Sequence, residues 1–425
     1  MRRWNRVWLV GLMGAFYGIL SAQEVLTLEG AIQQALQNNG QARALFEERV
    51  ASRARLESAR ASLFPNFEMG TSSTHTRLEQ GSATTERSQR QTALNLDWLV
   101  LDNGARNLRI RQASRSNEST YYATQDKLRA LIFQTARAYY EVLRRQELLQ
   151  VADETVRRAE TILEAVRAQA QVGTAPAKDV LQAEADLANA RVQQIQARNA
   201  LRLAETDLKR LLGGSPEKPL PALQNVDSAP APPLFDSLQT LWEQARRQRP
   251  DLRSAELTAQ SARLAVDLAR INSLVQLRLD ISGFREFDPN TRTQGQVLLL
   301  ASYPLFDGGL RRSSLREAEA NFRLAQFRLV QAERDAYTEV ESAYLSVQET
   351  RERLTAAQAA LAAARRNYEA ARDSFQEGAG NLLEVLTAQL ALITAQNNLV
   401  QATYDTFIAD LQLRLATGTR LPMEP

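Results

Sequence analysis

The chain has 425 residues and is rich in Ala, Leu, Gln, Arg and Glu, with only 18 Gly and 13 Pro. This composition favours long helices over compact globular domains when apolar residues recur with a period of about 3.5. The 52 Lys and Arg nearly balance the 49 Asp and Glu, so the charge gives no indication of nucleic-acid binding. Because the chain has no Cys, it excludes disulfides, thiolate metal sites, cysteine nucleophiles and a lipid-modified N-terminal cysteine.

The N-terminus has the organisation of a secretory signal peptide over residues 1–22. Three arginines precede an apolar run over residues 7–20, and Ser21 and Ala22 follow as small residues near a cleavage site. The apolar run is short for a membrane span, and no later segment has the roughly 20 consecutive apolar residues that a transmembrane helix needs. If the protein lies in a membrane, it must therefore cross it as strands.

Two helices are predicted next. The first covers Thr27–Gln37 and ends at Asn38-Asn39-Gly40, a sequence typical of a helix C-terminus. The second covers Gln41–Leu63 and ends at Phe64-Pro65, because proline disfavours the helical conformation for the residue before it.

Beyond Pro65 the hydrophobic period changes from that of a helix to that of a strand. Apolar and polar residues alternate in Asn66–Thr74 and in Gln91–Val100, and a polar stretch, Thr71–Arg90, leads from one to the other. We therefore predict two strands of about ten residues joined by a polar loop that contains His75, the only histidine. This hairpin, at about 66–100, is long enough to span a membrane.

The longest predicted element is a helix over Leu108–Val172, about 65 residues and about 98 Å long. Apolar or small residues recur in it at alternating steps of three and four, which is the heptad seam of a coiled coil. The seam positions are Leu128, Leu131, Thr135, Ala138, Val142, Arg145, Leu149, Ala152, Val156, Ala159, Leu163, Val166 and Ala170. Such a helix needs a partner of similar length, and we expect Gln41–Leu63 and Asp179–Leu212, stacked end to end, to supply it.

The second half of the chain repeats the first. Adding 205 to the seam positions gives a second seam from Glu333 to Phe375, and the same offset pairs Asp102 with Asp307. Upstream the offset is 210, so we expect a surface loop of the second copy to be five residues shorter. The alternation of the second copy predicts another strand hairpin, at about 275–303.

These matches divide the chain into an N-terminal signal peptide, two repeats and a linker. The first repeat covers residues 23–213 with a tip turn at about 173–177, and the second covers residues 234–418 with a tip turn at about 378–381. Residues 214–233 form a Pro-rich, extended linker that we expect to lie against the middle of the helices. Residues 419–425 are a C-terminal tail.

Together these features resemble the TolC-like outer membrane efflux protein family over essentially the whole chain after the signal peptide. The motifs that carry the resemblance are Tyr303–Gly309, Phe375–Gly378, Glu384–Gln389, Val172–Thr174 and Asp179–Glu184, together with the duplication. The resemblance implies a mainly α fold with membrane β, in which long antiparallel coiled-coil helices form a helical barrel. Each protomer of a homotrimer then contributes four strands to one transmembrane β-barrel.

The resemblance also implies a function, a location and partners. The protein would be the exit duct of a tripartite efflux or type I secretion system, in the outer membrane of a Gram-negative-type cell with a periplasmic extension. Its partners would be outer membrane lipid, a periplasmic adaptor (membrane fusion) protein and an inner membrane pump, with no cofactor and no nucleic acid. The exported substrate and the class of pump are not written in the sequence.

Alternation along the strands predicts which residues face the barrel lumen. We expect the lumen to be lined by Glu68, Asn95, Asp97, Arg278 and Asp280, with the intervening apolar residues toward lipid. Trp98 and Tyr303 end equivalent strands and fit a membrane-interface belt, although ordinary packing at the strand–helix junction would also explain them.

The helical tips are the second candidate site, because they are the only breaks in the helices at the end farthest from the membrane. We predict that the adaptor docks on Val172, Gly173, Thr174, Gly378, Ala379 and Gly380. The alternative is that these residues only form helical-hairpin turns.

By resemblance, four further residues belong to a periplasmic aperture: Asp179, Phe375, Glu384 and Thr387. Glu384 matches an acidic ring position of the family, whereas Thr387 stands where a second acidic ring residue is expected. Phe375 and Gly380 replace polar latch residues that would pair with Asp179. Asn381 and Glu384 also have the spacing of a capping box, so Glu384 has both a structural and a channel interpretation.

Two other classes of protein fit part of the pattern. A secreted, soluble coiled-coil scaffold needs no alternating strands, and a passive outer membrane porin needs no helices about 98 Å long. The sequence has no catalytic constellation, phosphate-binding glycine loop or nucleophile motif, so we do not predict an enzyme.

Overall fold

The computed structural model describes residues 25–81, 83–215, 217–225, 237–271, 274–288, 291–377 and 379–424. The expected signal peptide, Gly378 and most of the second half of the linker therefore lie outside the described residues. The elements in chain order are α1 (Leu28–Asn38), α2 (Gly40–Ala61), β1 (Asn66–Gln80), β2 (Ala83–Leu101), α3 (Ala105–Gln171), α4 (Ala177–Leu212), α5 (Leu238–Gln248), α6 (Pro250–Ile271), β3 (Gln276–Asp288), β4 (Arg292–Ser302), α7 (Leu310–Gln376) and α8 (Leu382–Thr417). The chain is thus mainly helical with one antiparallel sheet.

The helices occur in two sets of equal length. Helices α1 and α5 each have 11 residues and α2 and α6 each have 22. Helices α3 and α7 each have 67 residues and α4 and α8 each have 36. At about 1.5 Å per residue, α3 and α7 are each about 100 Å long. None of the helices within the described ranges is both long and apolar enough to cross a membrane.

The long helices pack side by side as a row of four rods. Helix α3 packs against α2 and α4, and also against α6 and α8, while α7 packs against α6 and α8. Helices α2 and α4 stack end to end into one composite rod, and α6 and α8 stack into another. The order across the row is therefore α2 with α4, then α3, then α6 with α8, then α7.

Each composite rod is joined at a glycine that no other residue could replace without strain. Gly213 has φ +68°, and a Cβ there would lie 2.5 Å from the carbonyl carbon of Asn38. The side-chain amide of Asn39 donates to the carbonyl oxygen of Leu211 at 2.9 Å. In the second copy Gly418 has φ +74°, and Arg249 Nη1 donates to the carbonyl oxygen of Ala416 at 3.1 Å.

Asn39 also corrects one predicted boundary. Its backbone is extended, and its side-chain oxygen accepts a hydrogen bond from the backbone N–H of Gln41 at 2.7 Å. Asn39 therefore caps the following helix, and Gly40 begins α2 rather than ending α1.

The sheet has the order β1-β2-β3-β4, with all neighbours antiparallel. The predicted polar loop over residues 71–90 is wrong, because β1 and β2 remain paired up to Gln80 and Ala83. His75 lies in β1, and its Nδ1 is 2.9 Å from Ser88 Oγ on β2. The alternation is absent there because both faces of the extension are polar, whereas backbone pairing does not depend on the side chains. The second copy is shorter in its strands and not in a surface loop, so that expectation is also wrong. Strands β1 and β2 have 15 and 19 residues, whereas β3 and β4 have 13 and 11.

The largest hydrophobic core lies where α1 and the linker pack across α3, α4 and α8. Ile32, Tyr139, Leu208 and Phe407 are buried together in it. Leu26 and Leu223 form a parallel bridge beside it, and the Tyr139 hydroxyl lies 3.0 Å from Leu26 O and 2.8 Å from Gln224 O. The described part of the linker is thus held against the middle of the helices.

Candidate channel surfaces: the sheet faces and the helical tips

One face of the sheet is apolar and exposed. Residues directly opposite each other on paired strands point to the same face, and the register places Phe67 opposite Leu96, Leu96 opposite Ile281, and Ile281 opposite Val297. Phe67 is 66% and Val297 71% exposed in the protomer. This area has no cover within the described residues, which marks it as a contact surface.

The other face carries the predicted lumen residues. Glu68 lies opposite Asn95, and Asp97 lies opposite Asp280, so all four share this face, as does Arg278 two residues before Asp280. The Asn66 side-chain amide donates to Glu68 Oε1 at 3.0 Å. Placing two carboxylates directly opposite each other is unfavourable. Such a pair is tolerated where water is accessible and Arg278 adds a compensating charge.

The polar face is not purely polar. Leu298 and Leu300 lie opposite Asp280 and Arg278, so they share the face of the charged residues. Both are nearly half exposed. The alternation rule did not find them, because β4 contains five consecutive apolar residues, 297–301, and a run without alternation does not assign a residue to either face.

Trp98 and Tyr303 lie where the sheet meets the helices. Trp98 is on the apolar face, opposite Leu279, and its indole Nε1 donates to the carbonyl oxygen of Leu63 at 3.3 Å. Tyr303 directly follows β4 and is 53% exposed. Trp98 thus bonds across the strand–helix junction through its indole N–H, while its ring lies on the exposed apolar face of the sheet.

Asp102 and Asp307, the two aspartates that the duplication pairs, hold the strand-to-helix turns. Asp102 Oδ2 accepts hydrogen bonds from the backbone N–H of Arg106 at 2.7 Å and from its side-chain Nε at 3.0 Å. Asp307 accepts the same two bonds from Arg311, at 3.1 and 2.6 Å. Burial acts to raise the pKa of Asp102, but the hydrogen bonds from Arg106 outweigh it and hold the pKa below its usual value. These hydrogen bonds therefore fix the first turn of each long helix beside the sheet.

The first tip turn follows α3. Gly173 has φ +81° and an open surrounding, and Val172 is 75% exposed. The turn is closed by Thr174, whose backbone N–H and hydroxyl donate to the carbonyl oxygen of Gln169 at 2.9 and 3.0 Å. The three predicted docking residues therefore form a compact, solvent-exposed αL turn.

The second tip turn follows α7, and its predicted residue Gly378 lies outside the described residues. The backbone N–H groups of Ala379 and Gly380 donate to the carbonyl oxygen of Ser374 at 2.9 and 3.0 Å. A Cβ on Gly380 would lie 3.1 Å from the backbone nitrogen of Phe375. The chain therefore approaches itself closely here, which leaves little room for a side chain.

Within the described residues, no hydrogen bond or ion pair joins the four predicted aperture residues to one another. Glu384 is exposed and forms a capping pair with Asn381: its backbone N–H donates to Asn381 Oδ1 at 3.0 Å, and its Oε1 accepts from Asn381 Nδ2 at 2.9 Å. Thr387 is exposed and donates to the carbonyl oxygen of Leu383. Asp179 is half-buried in the first turn of α4, and within the described residues its carboxylate has no hydrogen bond.

Phe375 points into the protomer rather than away from it. It packs against a buried cluster at the tip that contains Ile162 and Val166 of α3, Tyr368 of α7 and Val385 of α8. Its side chain therefore belongs to the hydrophobic cluster that joins α3, α7 and α8 near the tips.

Sequence patterns did not reveal a buried charged cluster halfway along the rods. Arg249 is 9% exposed and donates to Asp251 and to Glu339, each at 2.7 Å. Arg129 is 4% exposed and pairs with Glu424 of the C-terminal tail at 2.6 Å. Burial, with the nearby Asp251 carboxylate, raises the pKa of Asp126 to about 6. Two buried arginines thus form ion pairs with partly exposed carboxylates at this level of the rods.

Comparison with known proteins identifies the family of this chain. The model of the outer membrane efflux protein family matches residues 31–214 and 241–419, and the chain belongs to this family. Protein CyaE of Bordetella pertussis is 27% identical over 333 residues, covering 77% of this chain and 70% of that protein. Outer membrane protein TolC of Vibrio cholerae is 27% identical over 403 residues, covering 91% and 89%.

The fold is shared with a solved structure. A crystal structure of CusC superposes with a TM-score of 0.81 at 23% identity and covers 92% of both chains. The predicted family and fold class are confirmed, and the protein is an outer membrane efflux protein.

Proposed function

We propose that three copies of this chain form the exit duct of a tripartite efflux or type I secretion system. Substrates would pass from an inner membrane pump, through a periplasmic adaptor, into a tunnel made by the long helices. They would leave through one β-barrel to which each copy contributes four strands.

The observation that carries the proposal is the open sheet joined to the long rods. Strands β1 and β4 have no partner on their outer edges within the described residues, although one face of the sheet is apolar and exposed. An unpaired backbone group in lipid costs several kcal/mol, so such a sheet must close with other copies. Three copies supply 3 × 4 = 12 strands, which is within the range of outer-membrane barrels.

The duct and its two rival functions predict different results. Native mass measurement of the detergent-extracted protein should give a trimer, and the trimer should fractionate with outer membranes. A stable, folded, detergent-soluble monomer would contradict the duct, and recovery of the protein as a soluble secreted oligomer would favour the scaffold. Export that continues unchanged after deletion of the partner pump would favour a passive porin.

We propose that the tip turns dock the adaptor, because they are exposed, compact and at the far end from the sheet. Gly173→Trp adds bulk at the first tip, whereas Gly173→Asn is the matched control, since Asn tolerates a positive φ better than other residues do. We expect the Trp variant to lose export while it keeps its assembly and membrane location, and the Asn variant to keep both. Equal export by the two variants would count against docking at this tip.

The sheet's polar face and Glu384 would give the duct its charge. Asp97 and Asp280 would line the barrel lumen, and three copies of Glu384 would meet near the axis at the tips. Converging carboxylates in a narrow passage attract cations. The hydrogen bonds between Glu384 and Asn381 are compatible with this role, because they use one carboxylate oxygen and leave the other to solvent.

A further inference from the structure

The apolar face of the sheet ends at a polar row on the side far from the helices. Residues directly opposite each other on paired strands form rows across this face. The four apolar rows, in order from the helices, are Leu101, Leu277 and Ala301; Trp98, Leu279 and Leu299; Phe67, Leu96, Ile281 and Val297; and Met69, Leu94, Gly283 and Gly295. The next row consists of Thr71, Thr92, Arg285 and Thr293. The apolar area therefore stops where Arg285 begins a polar region.

The height of the apolar area matches that of a membrane. Arg285 lies eight residues beyond Leu277 on β3. A strand rises about 3.4 Å per residue, so the two Cα atoms are about 27 Å apart along it. In a barrel whose strands tilt by about 40°, this distance is about 21 Å across the membrane, close to the apolar band about 25 Å tall of outer-membrane barrels. Arg285 therefore reaches the level at which hydrocarbon gives way to lipid headgroups.

The side chain of Arg285 is exposed and lies near an aromatic ring. Its guanidinium carbon is 5.5 Å from the centre of the Phe287 ring, and Phe287 is 50% exposed. Aromatic residues mark both interfaces of membrane barrels, and Trp98 and Tyr303 lie at the opposite edge of the apolar face. Contact with a ring uses none of the five N–H donors of a guanidinium. These donors therefore remain available for an anion.

A second exposed arginine lies beside Arg285 on the neighbouring strand. Thr92 of β2 is directly opposite Arg285, so Arg90, two residues further from the helices, is a diagonal neighbour of Arg285 at about 7–8 Å. Two guanidinium groups at this separation can both reach one phosphate. Asp288 is the residue opposite Arg90 in the register, so Arg285 is the principal candidate and Arg90 the second.

A third arginine on this face, Arg77, is already paired. It forms ion pairs with Glu79 at 3.2 Å and with Glu86 at 3.8 Å. Within the described residues, no ion pair includes Arg90 or Arg285, and the contact found for Arg285 is the one with the aromatic ring. The two arginines nearest the apolar rows are thus the ones that have charge to offer.

Hydroxyl groups complete the polar row. Thr71 Oγ1 and Thr92 Oγ1 are 3.4 Å apart, and Thr293 lies opposite Arg285 on its other side. A hydroxyl can donate to a phosphate oxygen, and a guanidinium binds phosphate through two parallel N–H bonds. A soluble anion would use only this row, whereas a lipid would use this row and the apolar rows below it.

We propose that Arg285 binds the phosphate group of an anionic lipid in the outer leaflet of the membrane, with Arg90 as a second contact. The acyl chains of this lipid cover the apolar rows between Arg285 and Trp98. The contact holds the sheet at a fixed height in the bilayer. The inference rests on the proposed function, because the sheet meets lipid only in a barrel that spans the membrane.

Native mass spectrometry of the detergent-extracted trimer counts bound lipid directly. The trimer is titrated with phosphatidylglycerol, which carries one anionic phosphate, and with diacylglycerol, which has the same chains and no phosphate. We expect the wild type to bind phosphatidylglycerol more tightly than diacylglycerol. Arg285→Gln should weaken the binding of phosphatidylglycerol about tenfold, because a charge-assisted contact is lost. Adding Arg90→Gln should weaken it further.

Arg292→Gln is the matched control. Arg292 is exposed and lies opposite Glu286, the residue next to Arg285, so it removes the same charge at the same level from the polar face. We expect this variant to bind phosphatidylglycerol as the wild type does. Arg285→Lys keeps the charge but loses the planar pair of donors, so its affinity should fall between those of the wild type and Arg285→Gln.

A second readout needs no substitution. Salt screens contacts between exposed charges, so binding of phosphatidylglycerol to the wild type should weaken several-fold between about 0.05 and about 0.5 M ammonium acetate. Binding of diacylglycerol should not weaken. Binding of phosphatidylglycerol that does not depend on salt would contradict a contact between arginine and phosphate, even if the variants did not assemble.

Other outcomes would also overturn the site. Equal binding of phosphatidylglycerol by the Arg285→Gln and Arg292→Gln trimers would refute it and leave the proposed function intact. Displacement of the lipid by an equal concentration of inorganic phosphate would show a site for a soluble anion. A mass above that of three chains, in place of bound lipid, would show that another protein covers this face. Failure of the wild-type chain to form a trimer in outer membranes would refute the proposed function itself.

Discussion

Asp126 is a largely buried carboxyl group whose pKa the fold raises. Burial next to Asp251 raises its pKa from 3.8 to about 6, although Arg249 and Arg129 lie nearby. A carboxyl whose pKa is raised in the folded state binds its proton more tightly there, so folding is favoured at low pH. Stability from this group is greatest below pH 3.8, falls as the pH rises toward about 6, and is constant above that.

Raising the pKa of Asp126 from 3.8 to about 6 corresponds to about 3 kcal/mol of stability lost between acidic and neutral pH. Asp126→Asn keeps the size of the side chain and cannot ionise, so it avoids that loss. We expect the variant to unfold at a higher temperature than the wild type at pH 7.5, and the two to unfold at nearly the same temperature near pH 4.

Thermal unfolding of the detergent-solubilised trimer, followed by far-ultraviolet circular dichroism at equal scan rates, measures this difference. Asp207→Asn controls for the loss of a negative charge, because the Asp207 side chain is 70% exposed. A destabilised Asp126→Asn at neutral pH, or a difference that does not change with pH, would refute the reasoning.

Three further substitutions test the rod junctions and the charged channel surfaces. In thermal unfolding, Gly213→Ala should lose more than about 2 kcal/mol of stability, because the positive φ is strained and the new Cβ would lie 2.5 Å from Asn38. Gly40→Ala is the control and should not destabilise, because its Cβ meets nothing within 4 Å. In bilayer recordings Glu384→Gln, whose side-chain amide oxygen can still accept the hydrogen bond from Asn381, should reduce cation selectivity with little change in conductance. Unchanged selectivity would leave only the capping role. Asp97→Asn should also reduce cation selectivity while leaving trimer stability equal or higher, and a less stable trimer would contradict the unfavourable pairing with Asp280.

The long helices could be predicted from the sequence because coiled-coil packing requires apolar residues at a regular spacing along the helix. The predicted seam from Leu128 to Ala170 lies on α3, and Leu128, Val142, Val156 and Val166 of that seam are buried. The tip turns could be predicted for the same reason, since Gly173 acts on neighbouring residues. Alternation predicted the sheet faces wherever apolar and polar residues actually alternate.

What the sequence did not predict depends on contacts between distant residues. Arg129 and Glu424 are 295 positions apart, and Arg249 and Glu339 are 90 apart, so no local pattern indicates that they pair. The polar extension of β1 and β2 was missed because it buries neither face. Phe375 was assigned to the aperture by resemblance alone, and its packing against Ile162 and Tyr368 depends on how α3 and α7 come together.

The positions of the breaks explain how rods of this length remain one body. Each composite rod is interrupted once, at Gly213 or at Gly418, between a helix of 22 and a helix of 36 residues, and each lies beside an uninterrupted helix of 67 residues. The short helices pack over these breaks, α1 against α2, α3 and α4, and α5 against α7 and α8. Side-chain donors from Asn39 and Arg249 satisfy carbonyl groups that the ending helices leave unpaired. The duplication therefore supplies two kinds of rod. The continuous helices α3 and α7 set the length of the helical part, and the interrupted rods are where the short helices α1 and α5 pack.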